Sequence, residues 1–189
     1  MNDSEQNPIS EPAAVRKSAG RIEIFRADKA VNLDEAGIMH AEAPPPERAP
    51  LNGIFKEAVE RGIATRLLFR EPRPDGFSLV YAWFKSGYPL PAHSHNANCL
   101  YYVISGELTM GTEVLKSGDG FFVPANAIYS YFAGPQGVEV LEFRNVAEFD
   151  LVFRGGTLPM WERAAAICSA GFERWKTEEP PERQSAGLG

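Results

Sequence analysis

Residues 87–108 read GYPLPAHSHNANCLYYVISGEL and carry two of the chain's three histidines, His93 and His95, just before a run of strand-forming residues. In an extended segment successive side chains alternate between faces, so these two imidazoles project to the same side. Two neutral imidazole nitrogens converging on one point make half of a metal site, although by spacing alone such a pair is more often a polar surface pair. The run that follows, CLYYVISG, is rich in β-branched and aromatic residues and stops at Gly106.

Outward from this stretch the pattern repeats. ATRLLFR, FSLVYAWF, ELTMG, GFFVP, AIYSYFAG and VEVLEFR are short runs of the same kind, punctuated by EPRPDG, SGDG and GPQG, each with a Gly or Pro at the bend. Strands spaced this closely leave no room for crossover helices, so residues 63–157 are predicted to form an antiparallel sandwich or barrel. Upstream, RIEIFR (21–26) alternates like a short strand, and AEAPPPERAP (41–50) is a proline-rich connector excluded from regular structure. Asn52 is placed to cap a short helix ending near Gly62, with Ile54, Phe55, Ala58 and Val59 on its buried side. Downstream, helical spacing over 158–175 puts Trp161, Ala164, Ala165, Cys168 and Phe172 on one stripe that packs on the barrel's outside. Residues 1–20 and 176–189 are too polar to repay ordering and are predicted to be disordered tails.

Composition narrows the function classes. A chain of 189 residues, 44% hydrophobic and 23% charged, buries one sizeable core and is short for two domains. A net charge of −6 gives no basic face, so nucleic acid is not an expected partner. The first twenty residues lack the unbroken apolar core of a signal peptide, and no later stretch approaches a membrane span. The only cysteines, Cys99 and Cys168, are read as free thiols, and the compartment as cytoplasmic.

The stretch around the histidines resembles the first motif of the cupin superfamily, a glycine, two alternate histidines, a glutamate and a second glycine. The matching positions are Gly87, His93, His95 and Gly106. Downstream, GDGFFVPANAIYSYFAG resembles the second motif, with Gly118 and Pro124 in place. The resemblance covers residues 63–145 and implies an all-β, double-stranded β-helix (jelly-roll) barrel; it says less about activity, since this fold hosts many chemistries. Two family ligand positions are changed: Cys99 stands where the glutamate usually is, and Tyr129 where the second motif has its histidine. Asn126 and Ala133 occupy the usual Gly and Asn positions.

Residues at the family's ligand positions face the barrel interior, so the resemblance implies a metal site of His93, His95, Cys99 and Tyr129, holding a divalent ion such as iron, zinc, nickel or manganese. Cysteine-dioxygenase-like members of the superfamily also carry a Cys at the Glu position. The alternative is that Cys99 is a small buried hydrophobe and Tyr129 a core aromatic. Glu142 and His40 are further candidates to complete a coordination shell, each with an ordinary surface role as the alternative. Parity along the strands nominates Tyr81, Trp83, Tyr101 and Tyr131 as pocket walls, against the simpler reading that rings fill a barrel core. The implied function is a metal-dependent enzyme, a dioxygenase, lyase or isomerase, acting on a small aromatic, carbonyl or acid substrate, with Tyr129 as ligand or proton donor. The alternative is a non-catalytic small-ligand-binding or sensing barrel with a degenerate metal site. A homodimer is also expected, with RIEIFR as an edge available for pairing.

Overall fold

The computed structural model describes residues 22–73 and 76–182. The expected N-terminal tail and residues 183–189 of the expected C-terminal tail lie outside the described residues.

The barrel is built from two sheets that share two long, bent strands. One sheet contains β1 (Val31–Asn32), β3 (Ile63–Arg70), β4 (Ser78–Phe84) and β8 (Gly120–Val123); the other contains β2 (Met39–Ala41), β5 (Pro89–Ser94), β7 (Glu113–Lys116) and β10 (Phe149–Phe153). The shared strands are β6 (Cys99–Met110) and β9 (Tyr129–Arg144). The last part of β9 pairs with β4 and with the first part of β6, while its first part pairs with β5 and with the last part of β6.

The bend has a specific cause. The β6–β9 register shifts between Val103 and Ser105 and again between Gly106 and Leu108. Gly106, paired with Val138, and the neighbouring Gly137 adopt φ of +71° and +80° there. A Cβ on Gly106 would lie 2.1 Å from the Gly137 carbonyl oxygen, so only glycine permits both the left-handed backbone and the close approach. Inward-facing Ala82, Phe84, Tyr101, Val103, Leu108, Val138 and Val140 then form the barrel core.

Two helices close one side, as the sequence led us to expect. In α2 (Asn52–Gly62) Phe55 and Ala58 are buried, and α3 (Leu158–Trp175) buries Trp161, Ala165, Cys168, Gly171 and Trp175. Phe55 meets Trp161 edge to face at 5.6 Å, a contact worth about 0.5–1.5 kcal/mol beyond the area it buries. Trp175 donates its indole N–H to the Ser86 carbonyl at 2.9 Å, tying the end of α3 to the loop before β5. A four-residue helix, α1 (Leu33–Ala36), is capped by Asn32, whose Oδ1 accepts from the Asp34 N–H at 2.8 Å.

Several details differ from the sequence expectations. CLYYVISG and ELTMG form one strand rather than two, as do AIYSYFAG and VEVLEFR, because their glycines bend the chain without ending its pairing. The β2–β10 pair is parallel. Residues 22–26 of RIEIFR form no strand; Phe25 packs its ring on Phe69 at 6.1 Å instead, so the edge expected to serve a dimer is not one. The proline-rich connector is regular over Pro46–Leu51, a 3-10 helix, since proline's fixed φ suits a first helical turn. Asn52 is the first helical residue of α2 and not its cap; its Oδ1 accepts from Arg48 Nε at 3.2 Å. Val59 is 45% exposed rather than buried. No helix among the described residues is long and apolar enough to cross a membrane.

Candidate functional site

The register sets the site. His93 on β5 lies opposite Tyr129 on β9 and opposite Phe153 on β10, so three side chains form one row across the inner face. His95 follows just beyond the strand. The backbone N–H of Asn126 donates to the His95 carbonyl at 2.7 Å, and Asn126 is the one described non-glycine residue with positive φ, +65°. Asparagine tolerates that conformation, which accounts for its standing at a family glycine position.

Both imidazoles are buried, their ring centroids 5.0 Å apart, and His93 lies 4.2 Å from the Tyr129 ring. His93 Nδ1 is 2.7 Å from the Pro91 carbonyl oxygen, and His95 Nδ1 is 2.5 Å from the Asp150 carbonyl oxygen. A carbonyl can only accept, so each Nδ1 carries the proton and each Nε2 keeps its lone pair. Burial lowers the pKa of His93 to about 4 and that of His95 to about 3, with Arg144 adding to the depression, so both rings are neutral at pH 7.

Behind this pair lies a hydrogen-bonded chain. The Tyr129 and Tyr101 hydroxyls are 2.5 Å apart, Arg144 Nη2 is 3.4 Å from the Tyr101 hydroxyl, and the same Nη2 pairs with Glu142 Oε2 at 2.7 Å. Arginine only donates, so Tyr101 accepts from Arg144, and the bond between the two phenols can carry either hydroxyl's proton. Burial pushes both phenols well above their ordinary range, so they are neutral donors. Burial alone would lower the Arg144 pKa, but adjacent Glu142 reverses the effect and holds it firmly charged.

These groups line a cavity of about 170 Å³. His93, His95, Tyr101, Tyr129, Glu142 and Arg144 supply its polar wall, and Phe55, Phe84, Tyr88, Leu90 and Phe153 its apolar one. Cys99 is buried but outside this wall, its Sγ 3.9 Å from the Leu100 carbonyl, and burial pushes its thiol up to about 12. Without a metal it is a neutral thiol at pH 7, lying behind the cavity wall against the Tyr101 side chain. Of the four expected wall aromatics only Tyr101 lines the cavity. Tyr81 and Trp83 lie on the opposite face of β4 from Ala82 and Phe84, with the Tyr81 hydroxyl donating to Glu139 at 2.6 Å. Tyr131 is packed inside the barrel against Phe84 and Phe121, beyond the cavity. His40 is exposed and bonds Glu148 at 3.1 Å. Sequence reasoning missed Arg144, whose even spacing from Glu142 was the available signal, and Arg48 and Tyr88, which no local pattern marks; Phe55 was read from its helical spacing as buried but not as part of the cavity.

The donor set fits a divalent metal in part. Two Nε2 lone pairs whose tautomers are set by backbone carbonyls are the arrangement expected of metal-binding imidazoles. Tyr129, whose ring lies 4.2 Å from that of His93, offers a further oxygen, while no group of three His, Cys, Asp or Glu residues among the described residues can hold an ion.

Two sheets sharing bent strands, with the paired histidines on the inner face, define a cupin-type jelly roll, and the chain is a cupin-fold protein. No protein-family profile matches the chain, and no curated protein does either. Similar solved structures include the polyketide cyclase RemF from Streptomyces resistomycificus, at 20% identity over 54% of this chain and 78% of that one, with a TM-score of 0.46. A cupin-like protein of unknown function from Ralstonia eutropha matches over 90% of this chain and 99% of its own, at 14% identity and a TM-score of 0.47. KdgF from Halomonas sp. matches over 46% of this chain and 83% of its own, at 24% identity and a TM-score of 0.39. At this level the likeness is one of barrel architecture alone.

Proposed function

We propose that the cavity is the active site of a metal-dependent enzyme acting on a small organic molecule. The observation that carries this reading is the pair of buried, neutral imidazoles with both Nδ1 protons committed to the backbone and both Nε2 lone pairs unspent. His93 and His95 would hold the ion, with Tyr129 beside them as a further donor. A divalent ion bound there would supply Lewis-acid polarisation of a substrate oxygen or open positions for dioxygen, the chemistry of lyases, isomerases and dioxygenases. Tyr129, neutral and hydrogen-bonded to the Tyr101 hydroxyl, would donate to a developing oxyanion.

A second reading, a binding barrel without metal, is favoured by one observation. Of the two carboxylates that line the cavity, Asp34 is exposed at the rim, and Arg144 consumes the charge of Glu142. Metal content separates the two. Protein purified without metal supplementation is expected to carry iron, zinc, nickel or manganese and to lose it in the His93→Ala, His95→Ala double variant. Equal, negligible metal in both proteins would select the binding barrel.

A further inference from the structure

Arg48 lies on the 3-10 helix over Pro46–Leu51 and lines the cavity from the apolar side. Its guanidinium carbon sits 4.7 Å from the Phe55 ring centroid and 4.6 Å from that of Phe153, and its Nε donates to Asn52. Ring contacts and the Asn52 bond hold the planar cation in place. No carboxylate among the described residues pairs with it, and its two terminal nitrogens have no protein acceptor there. Of the other charged groups on the wall, Glu142 and Arg144 cancel each other, and Asp34 is exposed at the rim. Arg48 is half-buried, and burial lowers its pKa against an opposing influence of the Tyr88 phenol.

Phe153, against which Arg48 lies, is directly opposite His93 on the neighbouring strand. Residues so opposed stand about 5 Å apart, so the guanidinium, one apolar ring and the imidazole–phenol pair follow in sequence. The cavity's volume is close to that of the engineered apolar cavity, about 150 Å³, that accommodates benzene.

We infer that Arg48 binds the carboxylate of the ligand, so that the site takes a small monocarboxylate whose apolar or unsaturated body lies between Phe55, Phe84, Tyr88 and Leu90. Planar, two-pronged recognition of a carboxylate is what a fixed guanidinium does best, and it selects acids over neutral phenols and carbonyl compounds. This rests on the reading of the cavity as a ligand site.

The test pairs each acid with its uncharged amide: benzoate with benzamide, and butyrate with butyramide, titrated at pH 7.5 while the His93 and His95 imidazole signals are followed by NMR. Each acid is expected to bind about tenfold or more tightly than its amide. Arg48→Gln should close that gap to within about twofold, and Arg48→Lys should retain part of it. Equal binding of acid and amide to the unaltered protein overturns the inference and leaves the cavity a ligand site, as does a gap that survives in a folded R48Q variant. If no probe moves either imidazole signal, the ligand-site reading falls with it.

Discussion

Replacing Glu142 by glutamine strands a fully buried guanidinium. Arg144 Nε and Nη1 already lack partners, and Nη2 is served only by Glu142 at 2.7 Å and by Tyr101 at 3.4 Å. At 2.7 Å the charges attract by about 6 kcal/mol with an effective dielectric constant of about 20, and several kcal/mol of dehydration oppose this. Breaking such a pair from one side costs about 3–5 kcal/mol, and glutamine, which can still accept a hydrogen bond, should fall near the lower figure. Urea unfolding of metal-free protein at pH 7, for Glu142→Gln, Arg144→Met and the double variant, supplies the full cycle. The double variant should be about 2 kcal/mol more stable than the sum of the two single effects implies. Single variants within about 1 kcal/mol of the parent, or strictly additive effects, would refute a buried, mutually dependent pair.

Two further outcomes follow from the geometry. His93 and His95 are held at about 4 and about 3 against an ordinary 6.5, so the unfolded chain binds protons that the folded one refuses. Stability is therefore full above pH 6.5 and is lost as pH falls toward these values, at up to about 2.7 kcal/mol per pH unit for the two rings together. Urea titrations of metal-free protein between pH 7 and 5 should show this slope and its flattening in His93→Ala, His95→Ala; a flat parent profile contradicts it. Gly106→Ala should cost at least about 3 kcal/mol, because an unfavourable φ is compounded by a backbone collision at 2.1 Å. Gly87→Ala, at φ +66° with its nearest neighbour 3.7 Å away, should cost only about 1–2 kcal/mol, and equal losses at both positions in thermal melts would contradict the crossing-point account.

Much of the barrel was legible because its information is local. Alternation around His93 and His95, with glycines at 87, 106 and 118, places the motif strands, and all three glycines adopt positive φ. What escaped depends on pairing across long separations. The run FDLVF of β10 is five residues with no turn signal of its own, and it becomes a strand only between β2 and β5. Parity failed on β4, where Ala82, Trp83 and Phe84 are all buried, so alternating hydrophobicity does not say which face is inner and Tyr81 and Trp83 were assigned to the wrong one. At the site, the histidine pair was readable from spacing. Arg48 was not, since a proline-rich segment carries no periodicity and its guanidinium reaches the cavity only because α2 and α3 hold the rings it packs against.

The protonation of the two rings bears most directly on the whole account. Long-range 1H–15N correlation spectra of metal-free protein at pH 7 should show His93 and His95 as neutral rings protonated at Nδ1, with unprotonated Nε2. Protonation at Nε2, or imidazolium signals titrating near 6.5 like exposed histidine, would contradict a preset pair of nitrogen donors inside the barrel.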